Sequence, residues 1–125
     1  MKNNCIFLLL MLVALYLSGC EKKGADSNNI AAKISGTYYG DYTYTGAGVS
    51  QAEIKLTRLS DTTVTLSATV AGDHRYDLKV KLNEEASGLI DLFYESFTLS
   101  LYGVVDGNQL SYTYGNTNQF VGTKP

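Results

Sequence analysis

The chain of 125 residues has no tryptophan, one proline, one histidine and two cysteines. Each shortage removes a class of explanation. Both cysteines, Cys5 and Cys20, fall in the first twenty residues, so from Glu21 onward there is no disulfide, no thiolate nucleophile and no cysteine metal site. The lone His74 sits beside Gly72-Asp73 in an expected turn and reads as a solvated residue rather than a general base. No G-x-S-x-G elbow, glycine-rich phosphate loop or D-x-D-x-D-G calcium loop occurs. Asp61, Asp73, Glu84-Glu85 and Asp106 belong to expected turns, where charge serves solubility. The expectation is a protein that is not an enzyme and takes no cofactor and no metal. A basic cluster is missing too. Of the ten Lys and Arg one is Lys2, and the other nine face 12 Asp and Glu. That mildly acidic balance argues against nucleic acid and against electrostatic membrane binding. Helical periodicity is also scarce; a short helix fits only around Asn83 to Ala86.

What is present begins with residues 1–19. Lys2 supplies the positive start, Ile6 to Leu17 is an apolar run, and Ser18-Gly19 gives a small-residue exit, the pattern of a secretion signal. As a helix the run would reach about 18 Å, short of a hydrocarbon core of roughly 30 Å. Leu17-Ser18-Gly19-Cys20 resembles the lipobox of bacterial lipoproteins. The resemblance implies cleavage before Cys20, a diacylglycerol thioether on Cys20 and, in that family, usually acylation of the freed amine. The membrane is then a partner through the lipid. The expected location is the cell envelope, on the outer membrane, facing the periplasm or the surface. At about 0.8 kcal/mol per buried CH₂, two or three acyl chains hold such a protein permanently. After Cys20 the stretch Glu21 to Asn29 is polar and has no apolar period. Residues 20–33 are therefore expected to be the lipidated cysteine and a flexible tether, reaching at most roughly 45 Å when stretched.

Over residues 34–124 the period changes to two. Thr63 to Val70 alternates without a fault, with Val64, Leu66, Ala68 and Val70 on one face. Tyr76 to Leu82 and Ala52 to Thr57 do the same with charges outside. Further strands are expected at Ser35 to Tyr44, Leu89 to Tyr94, Phe97 to Val104, Gln109 to Tyr114 and Gln119 to Thr123. Gly46-Ala47-Gly48, Ser60-Asp61, Gly72-Asp73, Asn83 to Gly88, Asp106-Gly107 and Gly115-Asn116 supply the turns. About eight short strands with no helix to cover an edge predict an all-β fold, a small antiparallel up-and-down barrel.

Ile34-Ser35-Gly36-Thr37-Tyr38-Tyr39-Gly40 at the start of this region, and Asn108 to Tyr114 with Phe120-Val121-Gly122-Thr123-Lys124 at its end, resemble small bacterial lipoproteins with a lipocalin-like, or calycin-like, domain. The resemblance implies that the first and last strands pair to close the barrel. It implies no particular ligand.

Tyrosine is the one strong bias: ten in the chain. Tyr38, Tyr42 and Tyr44 share a face of the first strand, and Tyr112 and Tyr114 a face of the seventh. Pointing inward, they are candidate ligand-binding residues, an aromatic lining with polar tips for a small apolar or aromatic molecule or an envelope protein. The alternatives are that the rings fill a narrow barrel, which short strands favour, or pair outside it. A filled barrel points to another function, a protein-binding inhibitor or structural accessory of the envelope acting through its hairpin loops.

Overall fold

Alternation of apolar and polar side chains can be satisfied by a sheet only if one face is dry, and a lone sheet this short has nothing to dry it but itself. In the computed structural model, which describes residues 29–125, the sheet curls until its ends meet. The signal segment, Cys20 and the tether to residue 28 lie outside the described residues. The strands are β1 (Gly36–Tyr44), β2 (Gly48–Ser60), β3 (Thr63–Val70), β4 (Asp73–Glu84), β5 (Ile90–Glu95), β6 (Ser100–Asp106), β7 (Gln109–Tyr114) and β8 (Asn118–Thr123). Each is antiparallel to its neighbours in chain order, and β1 pairs with β8 with Gly40 opposite Gly122, so the expected up-and-down barrel is closed. The bounds of β3 and β7 match the sequence reading, while β2 and β4 run several residues longer at the ends. β6 starts later, at Ser100, because Ser96 to Leu99 form a tight loop. There the Ser96 amide donates to the Leu99 carbonyl at 2.8 Å and Phe97 stands free in solvent.

The interior is filled. Ile54, Leu56, Val64, Leu66, Val70, Val80, Leu92, Leu101 and Leu110 are buried, and Tyr38, Tyr42, Tyr112 and Phe120 take the widest space. A barrel this narrow admits such rings only where the wall beside them is thin. A β-carbon at Gly122 would stand 2.4 Å from the tip of the Phe120 ring, and one at Gly103 2.5 Å from the Tyr112 β-carbon. Glycine at these two positions is what lets the rings turn inward. The outer wall of β2 to β4 carries Glu53, Lys55, Asp77, Lys79 and Lys81, all exposed.

Two local expectations are corrected. Residues 30–33, read from sequence as the end of the flexible tether, belong with Ile34 to a helix, α1 (Ile30–Ile34), that packs against β2 and β4 and caps one barrel end. Ala31 and Ile34 are buried, the Asn29 side chain accepts from the Ala32 amide, and the Ala31 amide donates to the Asp61 carbonyl at 2.9 Å. Lys33 pairs with Glu84 at 2.9 Å, and the Tyr38 hydroxyl donates to the Ile34 carbonyl from inside. Five residues carry too little period to announce a helix; what forms it is the apolar hole at the barrel end and the Asn29 cap. Conversely, Asn83 to Ala86 is not helical. β4 continues to Glu84, and a turn follows in which the Gly88 amide donates to the Glu85 carbonyl.

The cap is testable. Ile34→Ala is expected to lower unfolding stability by about 2–5 kcal/mol, the cost of truncating a buried aliphatic side chain. It would be read as a lower urea midpoint with unchanged slope. A loss within about 0.5 kcal/mol, the range of a surface substitution, would return these residues to the tether.

Candidate functional site

The tyrosines gather at the barrel end opposite α1. β1 runs from Gly36 beside the helix to Tyr44, which lies opposite both Gly48 and Asn118, while β7 ends on Tyr114, also opposite Asn118. Tyr42, Tyr44, Tyr112 and Tyr114 are therefore brought together as the sequence reading supposed. Tyr38 is not among them: it lies buried under the helix end, bonded to Ile34 and covered by the Lys124 ammonium 5.7 Å from its ring centre. The register puts it four residues before Tyr42, on the same face but toward the other end of the strand.

A residue outside that candidate set organises the cluster. Tyr76, on β4, reaches between the tyrosines of β1 and β7. Its hydroxyl lies 2.8 Å from the Tyr42 hydroxyl and 2.9 Å from that of Tyr112. Its ring stacks, tilted, on Tyr114 with centres 4.4 Å apart. Tyr42 and Tyr44 are likewise in contact, centres 5.0 Å apart. The signal for Tyr76 was present in the sequence, since it stands two residues before Leu78 in the inward phase of β4.

These rings fill the mouth rather than line a hollow. Tyr42 is 1% exposed and Tyr112 3%. Above them Tyr42, Tyr44, Tyr76 and Tyr114, with Arg75 and Asn118, surround a shallow recess of about 240 Å³ that opens to solvent. A larger trough, about 630 Å³, runs along the outer wall over Phe93, Tyr102, Ser111 and Val121. The mouth is the chemically richer of the two because its polar atoms converge: the Tyr44 hydroxyl is shielded from solvent and has no hydrogen-bond partner among the described residues.

Burial is the first cause raising the phenol pKa of Tyr38, Tyr42, Tyr76, Tyr112 and Tyr114; at Tyr76 the neighbouring phenols add to it, whereas at Tyr112 the hydrogen bond with Tyr76 works against it. The hydroxyls of Tyr42, Tyr76, Tyr112 and Tyr114 are therefore proton donors, not anions, across the physiological range. His74 is the second residue of β4 rather than part of the turn. It is exposed, with Nε2 3.2 Å from the Asp77 carboxylate. Glu84, expected as a turn charge, pairs with Lys33.

No protein-family model matches the chain, and no curated protein does. Among solved structures, the crystal structure of a protein from Bacteroides fragilis NCTC 9343, named "putative outer membrane protein", matches with a TM-score of 0.54 and 18% sequence identity. The match covers 78% of this chain and 53% of that one, so this chain spans about half that protein's length. At this identity the likeness is one of fold.

The hydroxyl cluster predicts an alkaline limit. Folded Tyr76 and Tyr112 keep protons that the unfolded chain releases near pH 10, so stability is full below that pH and falls as pH rises above it. Each fully shifted phenol contributes a slope of up to about 1.4 kcal/mol per pH unit. In urea titrations from pH 8 to 12, Tyr76→Phe is expected to flatten this slope by up to that amount. At pH 7 it should cost about 1–3 kcal/mol, because Tyr42 and Tyr112 lose their shared partner. A variant as stable as the parent at neutral pH, with the same alkaline slope, would remove Tyr76 from the centre of the network.

Proposed function

We propose that this protein is a non-enzymatic, lipid-anchored barrel of the cell envelope, solid inside, which meets its partner at the tyrosine mouth. The observation that carries this reading is polarity along the barrel axis. Asn29, and with it the chain coming from Cys20, enters at the α1 end, whereas the mouth is at the other. With the lipid on Cys20, the α1 end faces the membrane and the mouth faces away. Since α1 and its Asn29 cap are packed, Glu21 to Asn28 remain as tether, at most about 30 Å when stretched.

Anchoring is favoured over spanning by the direction of the side chains. A membrane-spanning barrel turns an apolar band outward and a polar lining inward. Here Val64, Leu66, Ala68 and Val70 of β3 point in, and Lys55, Lys79 and Lys81 on the neighbouring strands point out. The filled interior moves the reading away from an apolar molecule held inside the barrel, and toward recognition at its end, the role of an accessory or inhibitor. Beside the recess, the loop bearing Phe97 and Leu99 offers exposed apolar side chains of the kind that seat against a partner.

Two measurements test the two halves. Metabolic labelling with an alkyne-bearing palmitate is expected to mark the parent and leave Cys20→Ser unmarked; equal labelling would remove the anchor. A photocrosslinking residue placed at Asn116, beside the mouth, should trap a partner in intact cells, and the same residue at Lys79 on the charged wall should not. Trapping at Lys79 alone would move the recognition surface to the wall.

A further inference from the structure

We infer that the mouth recess is a carboxylate-binding site, with the Arg75 guanidinium as its cationic contact and the Tyr44 hydroxyl as a second donor. The inference rests on the reading of the mouth as the recognition end and adds the chemistry recognised there.

Arg75 is in the recess because of a fault in the sheet. Along the β3–β4 ladder Ala68 faces Tyr76 and Thr69 faces His74, so Arg75 is the extra residue of a β-bulge. Strict alternation would send Arg75 to the outer wall, opposite in direction to Tyr76. A bulge re-aims the extra side chain, and Arg75 lines the same recess as Tyr76. It makes no hydrogen bond or ion pair among the described residues, whereas Arg58 is held by Asp61 and Asn29, and Lys33 by Glu84. Among the described residues no Asp or Glu lines the recess, and the guanidinium is its one charge.

The hydroxyls add donors. Tyr42, Tyr76 and Tyr112 are joined by two hydroxyl contacts, and Asn118 lies beside the Tyr42 hydroxyl. Tyr44 brings a further proton with no acceptor. Burial keeps the phenols of Tyr42, Tyr76 and Tyr112 protonated. A ligand that satisfies the site must accept hydrogen bonds and carry negative charge. The planar fork of arginine fits a carboxylate two-to-two. A recess of about 240 Å³ limits the body behind that carboxylate to one ring or one amino-acid unit. The carboxylate belongs either to a free organic acid or to the end of a peptide.

The test uses the mature lipoprotein purified in detergent, followed by NMR of the tyrosine ring resonances, with benzoate, its neutral isostere benzamide, and acetyl-Ala-Ala with a free or amidated terminus as probes. Saturable shifts at Tyr44, Tyr76 and Tyr114 are expected with benzoate or the free-acid peptide. The matching amide should bind at least about tenfold more weakly, since it forfeits the charge-assisted pair. Tighter binding of benzoate assigns a free acid, and tighter binding of the peptide assigns a chain end. Arg75→Gln should weaken the acid at least tenfold and leave the amide unchanged; Tyr44→Phe should weaken the acid severalfold. Arg75 is exposed, so its replacement leaves the fold intact, checked by an unchanged thermal midpoint. Absence of saturable shifts with every probe, amides equal to acids, or an unaffected Arg75→Gln variant would overturn the assignment. Palmitate labelling at Cys20 and crosslinking from Asn116 do not depend on these probes, so a failure here is separable from a failure of the anchored-barrel reading.

Discussion

The constraint on which the structure turns is the width of an eight-stranded barrel, just enough for side chains to meet across the axis. Nothing else dries the sheet. Tyr112 and Phe120 fit that space because the wall beside them is bare: Gly103 lies opposite Tyr112 on the adjacent strand, and Gly122 stands two residues after Phe120. The aromatic filling and the thin wall are therefore one device. It also disposes of the hydroxyls: rings packed across the axis carry their polar tips with them, and those tips satisfy one another as the Tyr42–Tyr76–Tyr112 chain.

Filling an open-ended tube leaves two ends to close, and the chain closes them by opposite means. One end receives α1, whose two buried side chains, Asn29 cap and Lys33–Glu84 pair seal it with apolar packing and ordinary helix chemistry. The other is closed by phenol rings, which bring polar atoms to the surface in a fixed arrangement. The first closure is inert and the second has chemistry left over, in the Tyr44 hydroxyl and the Arg75 fork, neither of which has a partner among the described residues. Function is expected where polar groups remain unsatisfied.

Much of this was legible in the residues. Alternation defines β3 and β7 to the residue because their polar faces are uninterrupted, and Gly-containing turns mark the breaks. The pairing of β1 with β8 that the lipocalin-like resemblance implied is present, and Lys124 of the closing segment donates to the Ser35 carbonyl at the start of β1. What escaped detection has physical reasons. α1 has too few residues to show a period and exists because of the hole it covers. Tyr38 reads as a lining residue alongside Tyr42 and Tyr44 because period two reports a face, not a height along it. Arg75 was invisible because a bulge breaks the very alternation by which strands are read, and only the register across β3 and β4 reveals it.

The junction of β1 with β8 has a consequence for the order of events in folding. Seven of the eight strand pairings join neighbours in the chain and can zip up as successive hairpins, but Gly40 must find Gly122 across nearly the whole domain. Until it does, the molecule is an open sheet with two raw edges and an undried aromatic face, the species most prone to pair with another copy of itself. Loop-closure entropy makes that last contact slow to form. The vulnerable interval in the life of this protein is thus the wait for its final strand, and variants at the β1–β8 seam should reveal themselves as aggregates made during synthesis before any loss is seen in the finished barrel.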